Sequence, residues 1–85
     1  MEFEWDEAKN EVNKRKHGIS FEGAVRVFEN HVRRQVDSRK NYGEQRLVVL
    51  GIADGIILYV VFTMRGTICR IISARRANKR ERKKY

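Results

Sequence analysis

The chain has 85 residues, 41 % apolar and 35 % charged, with a net charge of +8. Those figures describe one small folded domain rather than a disordered segment, and no run approaches the roughly 18 apolar residues of a membrane span. A single cysteine, Cys69, excludes an internal disulfide and supplies no zinc site, so a reducing cytoplasm is the simplest compartment.

The charge is uneven. Residues 1–30 carry seven acids and five bases, and residues 31–85 carry fourteen bases and four acids. The basic partner surface therefore belongs to the second half, where nucleic acid, an acidic protein or an anionic membrane is the default partner. A membrane surface ranks last, because Asn78–Tyr85 has no apolar face.

Glu2-Phe3-Glu4-Trp5 alternates charge and ring, the pattern of a short edge strand with Phe3 and Trp5 turned inward. Asp6 is placed to cap a helix over Glu7–His17, which offers only Ala8 and Val12 as an apolar i, i+4 pair and is therefore mostly solvated, its stability coming from docking. Gly18 stands where a left-handed residue ends that helix. Ser20 caps a second helix with Phe21, Ala24, Val25 and Phe28 on one stripe. A short edge strand near His31–Asp37 and a charged loop to Gly43 follow.

Glu44–Ala53 reads as a strand, Asp54-Gly55 as a type I′ hairpin turn, and Ile56–Met64 as the returning strand. That strand sends Ile56, Leu58, Val60, Phe62 and Met64 to the helices, and a mixed set, Ile57, Tyr59, Val61, Thr63 and Arg65, to a partly covered face. After Arg65-Gly66 a third strand, Thr67–Ala74, passes into a basic exposed helix. Arg75 to Tyr85 contains seven Lys or Arg against one acid, Glu81. The expected fold is α+β: a small antiparallel sheet, two N-terminal helices on one face and a C-terminal basic helix, all in one domain over residues 1–85.

Arg70, set between Cys69 and Ile71, requires an acidic partner or a role on an open face, since an unpaired buried guanidinium is costly. Arg46, Arg65, Arg70, Arg75 and Arg76 lie on or beside the strands, and Lys79 and Arg80 extend the cationic track. Metal-free RNA cleavage needs a base for the 2′-hydroxyl, fixed cations for the phosphorane and an acid for the 5′-oxygen. His17, Glu44, Glu81 and Tyr85 are the proton-carrier candidates. Each has a plainer reading: His17 as a charge favouring a helix C-terminus, Glu44 and Glu81 as partners of Arg46 and of Arg70 or Arg75, Tyr85 as a frayed terminus. Trp5 reads as core and Cys69 as packed. No Gly-rich phosphate loop, Ser-His-Asp order or cluster of acids for a metal is present, and no cofactor is implied. A non-catalytic RNA- or ribosome-binding module, or a protein that binds an acidic chain, fits the same charge.

Four groups of residues, in this order and spacing, resemble the BrnT family of type II toxins, relatives of the RelE-like ribonucleases. They are Phe3-Glu4-Trp5-Asp6 with Lys9 and Asn13; Lys16-His17-Gly18-Ile19-Ser20-Phe21 with Ala24 and Phe28; Tyr42-Gly43-Glu44 with Arg46 and Gly51; and Arg70-Ile71-Ile72-Ser73-Ala74-Arg75 with Arg80-Glu81 and Tyr85. The resemblance implies a translation-blocking, RNA-cleaving toxin, neutralised by a BrnA-like antitoxin that carries a DNA-binding domain and brings the pair to operator DNA. It implies an active site on the open sheet face, with Arg46, Arg70 and Arg75 as phosphate and transition-state cations converging over one hollow. His17 or Tyr85 would carry the proton, and Arg65, Arg76, Lys79 and Arg80 would hold RNA.

Overall fold

Short apolar and alternating runs separated by turn residues build five strands into one sheet, in the order β1-β5-β4-β3-β2. In the computed structural model, which describes residues 1–29, the backbone of 33–37, and 44–85, these are β1 Glu2–Glu4, β2 Arg33–Asp37, β3 Arg46–Ala53, β4 Ile56–Arg65 and β5 Ile68–Arg76. The charged loop expected up to Gly43, and the start of the edge strand at His31, fall outside the described residues. Strands β2 to β5 are antiparallel, as expected. β1 departs from the expectation: it pairs in parallel with β5, Glu2 opposite Ile68 and Glu4 opposite Arg70. The sheet is therefore mixed, with the first strand on the outer side of the last.

Asp54 (φ 52°) and Gly55 (φ 79°) both take positive φ between β3 and β4, the backbone that a type I′ turn demands. Gly66 (φ 61°) does the corresponding work between β4 and β5.

Helix α1, Glu7–His17, starts at Asp6, whose carboxylate accepts from the Lys9 amide, and stops at Gly18 in the left-handed region (φ 71°). A Cβ at Gly18 would touch nothing within 4 Å, so substitution there is opposed by backbone strain alone. Gly18→Ala is expected to lower stability by about 1 kcal/mol, read as a shift in the urea midpoint without a change in slope.

Helix α1 is mostly solvated, as expected, and it docks through polar side chains rather than its apolar pair. Ala8 is exposed and Val12 is 50 % exposed, while Asn10 and Asn13 are buried. Asn13 donates to the Ile19 carbonyl (2.9 Å) and the Ala74 carbonyl (2.7 Å) and accepts from the Ala74 amide (3.3 Å). Its side-chain amide thus completes the hydrogen bonding of β5 beyond the end of β1, as a neighbouring strand would. Asn10 accepts from the Phe21 amide (2.8 Å) and donates to Glu7 (3.0 Å) and Glu22 (2.8 Å). That last bond holds the Glu22 carboxyl below its ordinary range.

Ser20 caps α2, Phe21–Ala24, by accepting from Gly23. The helix then tightens into a 3₁₀ turn, Val25–Glu29. At three residues per turn the inward stripe becomes Phe21, Ala24, Val27, and these three are fully buried. Val27 therefore occupies the place expected of Val25, which is only partly buried. Phe28 bridges Phe3 (5.2 Å between centroids) and Phe62 (5.1 Å), and Trp5 meets Phe21 edge-on at 6.2 Å.

The main core lies between α2 with its 3₁₀ turn and one face of the sheet, where Val49, Leu58, Val60, Phe62, Cys69, Ile71 and Ala74 gather. Met64, expected in that set, is 41 % exposed; it lies on β4 beyond the Leu47–Phe62 pair with which the β3–β4 pairing begins. The opposite face carries a second cluster of Val48, Leu50, Tyr59, Val61 and Ala77, with Ile57 and Ile72 against it. It is drier than its mixed composition suggests. The final element, α3 Lys79–Lys83, is held by a capping box between Asn78 and Glu81 and buries no residue of its own. Among the described residues no helix is long and apolar enough to cross a membrane.

Candidate functional site

Strand parity places Arg46, Arg70 and Arg75 on one face of the sheet, away from α2. Thr63 pairs with Arg70, and the antiparallel register of β3 (Leu47 opposite Phe62) sets Arg46 on its other side. Glu4 stands opposite Arg70 on β1. One row across the sheet thus reads Glu4, Arg70, Thr63, Arg46. With strands about 4.8 Å apart, the two arginines straddle Thr63 at roughly 10 Å between backbones. Thr63 is 3 % exposed and donates its hydroxyl to the Gln45 carbonyl at 2.7 Å.

Arg75 pairs with Tyr59, four residues along β4 from Thr63, which is about 13 Å at 3.3 Å per residue. Its guanidinium lies 4.0 Å from the centre of the Tyr59 ring and makes two hydrogen bonds, of 2.7 and 2.8 Å, to Glu81 on α3. The three arginines therefore share a face but not one hollow: Arg46 and Arg70 form a pair, and Arg75 lies further along.

Each of these cations has a carboxylate beside it. Arg70 donates to Glu4 at 2.6 Å, which supplies the acidic partner that its position demanded. Glu44 approaches both Arg46 and Arg65 at 3.9 Å. Glu81 and Glu44 take the arginine partners expected of them. None of these pairs is deeply buried; the Arg70 and Glu4 side chains are 26 % and 33 % exposed. Solvent therefore reaches the Arg70–Glu4 pair, and an incoming phosphate can compete with Glu4 there.

β5 carries a bulge between the Val61–Ser73 and Phe62–Ile71 pairs. Ile72 is the extra residue, and both it and Ser73 turn toward the arginine face, since Ile72 packs in the second cluster and Ser73 pairs with Val61. They form one wall of a cleft whose other wall is α1, with Lys9, Val12, Lys16 and His17. His17 is thereby brought beside the stretch of β5 between Arg70 and Arg75.

The other candidates are more scattered. Arg65 is exposed at the far end of β4, near Glu44. Arg76, opposite Leu58, has the parity of the helix side and lines a recess with Gly55, Ile57 and Arg82 at the end of the sheet. Lys79 and Arg80 are exposed on α3. Tyr85, 42 % exposed, follows that helix, its amide donating to the Arg82 carbonyl at 3.3 Å. Glu4 and Ser73 were not singled out in the sequence as functional. Glu4 shares its alternation with Glu2, and only the pairing of β1 with β5 shows which of the two faces Arg70.

The fold and this face define a small basic α+β domain with a cationic sheet surface. The family model described as ribonuclease toxin, BrnT, of type II toxin-antitoxin systems matches residues 5–81, and the chain belongs to that family. The crystal structure of the Brucella abortus ribonuclease toxin BrnT superimposes with a TM-score of 0.71 at 32 % sequence identity, covering 93 % of this chain and 99 % of that one. Comparison with curated proteins returns no match. Membership of a type II system implies an RNA substrate and an antitoxin partner.

Proposed function

We propose that the chain is a metal-independent endoribonuclease of the RelE-like kind that blocks translation in the cytoplasm. In this reading a BrnA-like antitoxin with a DNA-binding domain restrains it and carries the pair to operator DNA. The observation that carries the cleavage reading is the Arg46–Thr63–Arg70 row, in which two part-exposed arginines flank one position on the sheet face away from α2. A phosphodiester seated over Thr63 displaces Glu44 and Glu4 from those arginines. The 2′-oxygen then attacks phosphorus while its proton passes to a base. Charge grows on the non-bridging oxygens, where fixed cations lower the barrier most because they need no reorganisation. The bond from phosphorus to the 5′-oxygen breaks, and that oxygen takes a proton, leaving a 2′,3′-cyclic phosphate and a 5′-hydroxyl.

His17 suits the proton-carrying role better than Tyr85, because its cleft borders Ser73 on the arginine side of β5, whereas Tyr85 follows the exposed α3. Arg75, held on Tyr59, suits a neighbouring phosphate of the same strand. Arg65, Lys79 and Arg80 would guide RNA at longer range, and Arg76 would do so only from the end of the sheet. Incubating the purified chain with RNA in EDTA is expected to yield fragments ending in cyclic phosphate. Intact RNA that merely shifts in a salt-sensitive way would point instead to a binding module without cleavage.

A further inference from the structure

Between α1 and the outer edge of β5 lies a cleft of about 500 Å³ that the cleavage reading uses only at its His17 end. Because α1 docks through Asn10 and Asn13, its apolar pair is turned outward: Ala8 and the half-exposed Val12 line this cleft opposite Ile72. Lys9 and Lys16 line it too. They are exposed, and among the described residues neither has an ion-pair partner, in contrast to Arg46, Arg70 and Arg75. Seven residues apart on a helix, they lie about 10 Å from one another along its axis and bracket Val12.

We infer that this cleft seats a segment of the antitoxin that presents an aliphatic side chain to Val12, Ala8 and Ile72, flanked by carboxylates for Lys9 and Lys16. The inference rests on the antitoxin partnership and commits this surface, rather than the arginine face, to part of that contact. RNA is the poorer occupant. Bases splayed from a single strand are held by stacking on aromatic rings, and among the described residues no aromatic side chain other than His17 lines the cleft. Asp6 also borders the cleft, its carboxylate accepting from the Lys9 amide. Two lysines against that one acid leave a cationic rim around an aliphatic floor. That surface matches an amphipathic acidic segment, whose apolar anchor gains by leaving water while its acids meet unengaged ammonium groups.

The test uses the full chain and, as probe, the protein encoded by the gene adjoining its own. Val12→Asp is expected to weaken binding of that protein by about 30-fold or more, since a carboxylate enters the centre of the apolar contact, while RNA cleavage by the free chain is unchanged. Lys9→Glu combined with Lys16→Glu is expected to weaken binding as well, more at low salt than at high. Both sets are surface changes, and an unchanged thermal melt verifies the fold. Wild-type affinity in both variants would overturn the inference. So would a Val12→Asp chain that stays neutralised but loses cleavage, which would assign the cleft to RNA, or one that alters only the chain's own oligomeric state, which would assign it to a second copy. Loss of partner binding in a chain whose wild type proves unable to cleave RNA would sink the cleavage reading and leave the cleft assignment standing.

Discussion

Arg70→Ala is expected to lower RNA cleavage by about 100-fold or more, the scale of losing one fixed donor to developing transition-state charge, while the chain stays folded. The fold should survive because the lost partner, Glu4, keeps contact with water and because exposed pairs contribute only about 0–1 kcal/mol. Arg75→Ala should cost less in the chemical step, since Arg75 stands four residues along β4 from the Arg46–Arg70 row. It should also weaken RNA binding and loosen α3, which Glu81 ties to it. Together the two substitutions should relieve the growth arrest expected when the wild-type chain is expressed. If both variants arrest growth as strongly as the parent, the arginine face is not the site of cleavage.

Asn13→Ala is expected to be the most damaging single change outside the apolar core. It removes the only side chain among the described residues that bonds both the amide and the carbonyl of Ala74, and it also releases the Ile19 carbonyl. Leaving buried backbone groups without partners costs about 1–3 kcal/mol each, so a loss of about 3 kcal/mol overall is expected. In a domain of this size that is a fall of roughly 12–24 °C in Tm. Asn13→Asp should rescue little, because a carboxylate accepts from the Ala74 amide but has no proton for the two carbonyls. A thermal melt of both variants checks the assignment. A shift within 3 °C of wild type, against that roughly 12–24 °C, would show that α1 is held by something else.

What was legible in the sequence was local. Asp6, Gly18, Ser20 and the Asp54-Gly55 turn act on backbone within a few residues of themselves, so their chemistry and their place in the chain carry the same information. The faces of β4 were legible for a related reason, since strand alternation is a property of the strand alone. What escaped depended on distant partners. Asn10 and Asn13 read as the solvated side of a helix because the groups they satisfy lie on α2 and, 61 residues away, on β5. Val27 replaced Val25 because the chain tightened from 3.6 to three residues per turn, a change that composition does not signal. The need of Arg70 for an acid was visible, but its answer, Glu4, lies 66 residues earlier and depends on β1 joining the sheet in parallel.

The same pairing of first strand with last sets the order in which the molecule matures during synthesis. Glu2–Glu4 is synthesised before the other strands of the sheet yet has no strand to join until Ile68–Arg76 follows, so the row that contains Glu4 and Arg70 is assembled late. Contacts of such long sequence separation form slowly. A nascent chain stopped before Ile68 should therefore be unable to cleave RNA, and a stalled chain ending at residue 66 that still cut RNA would show otherwise.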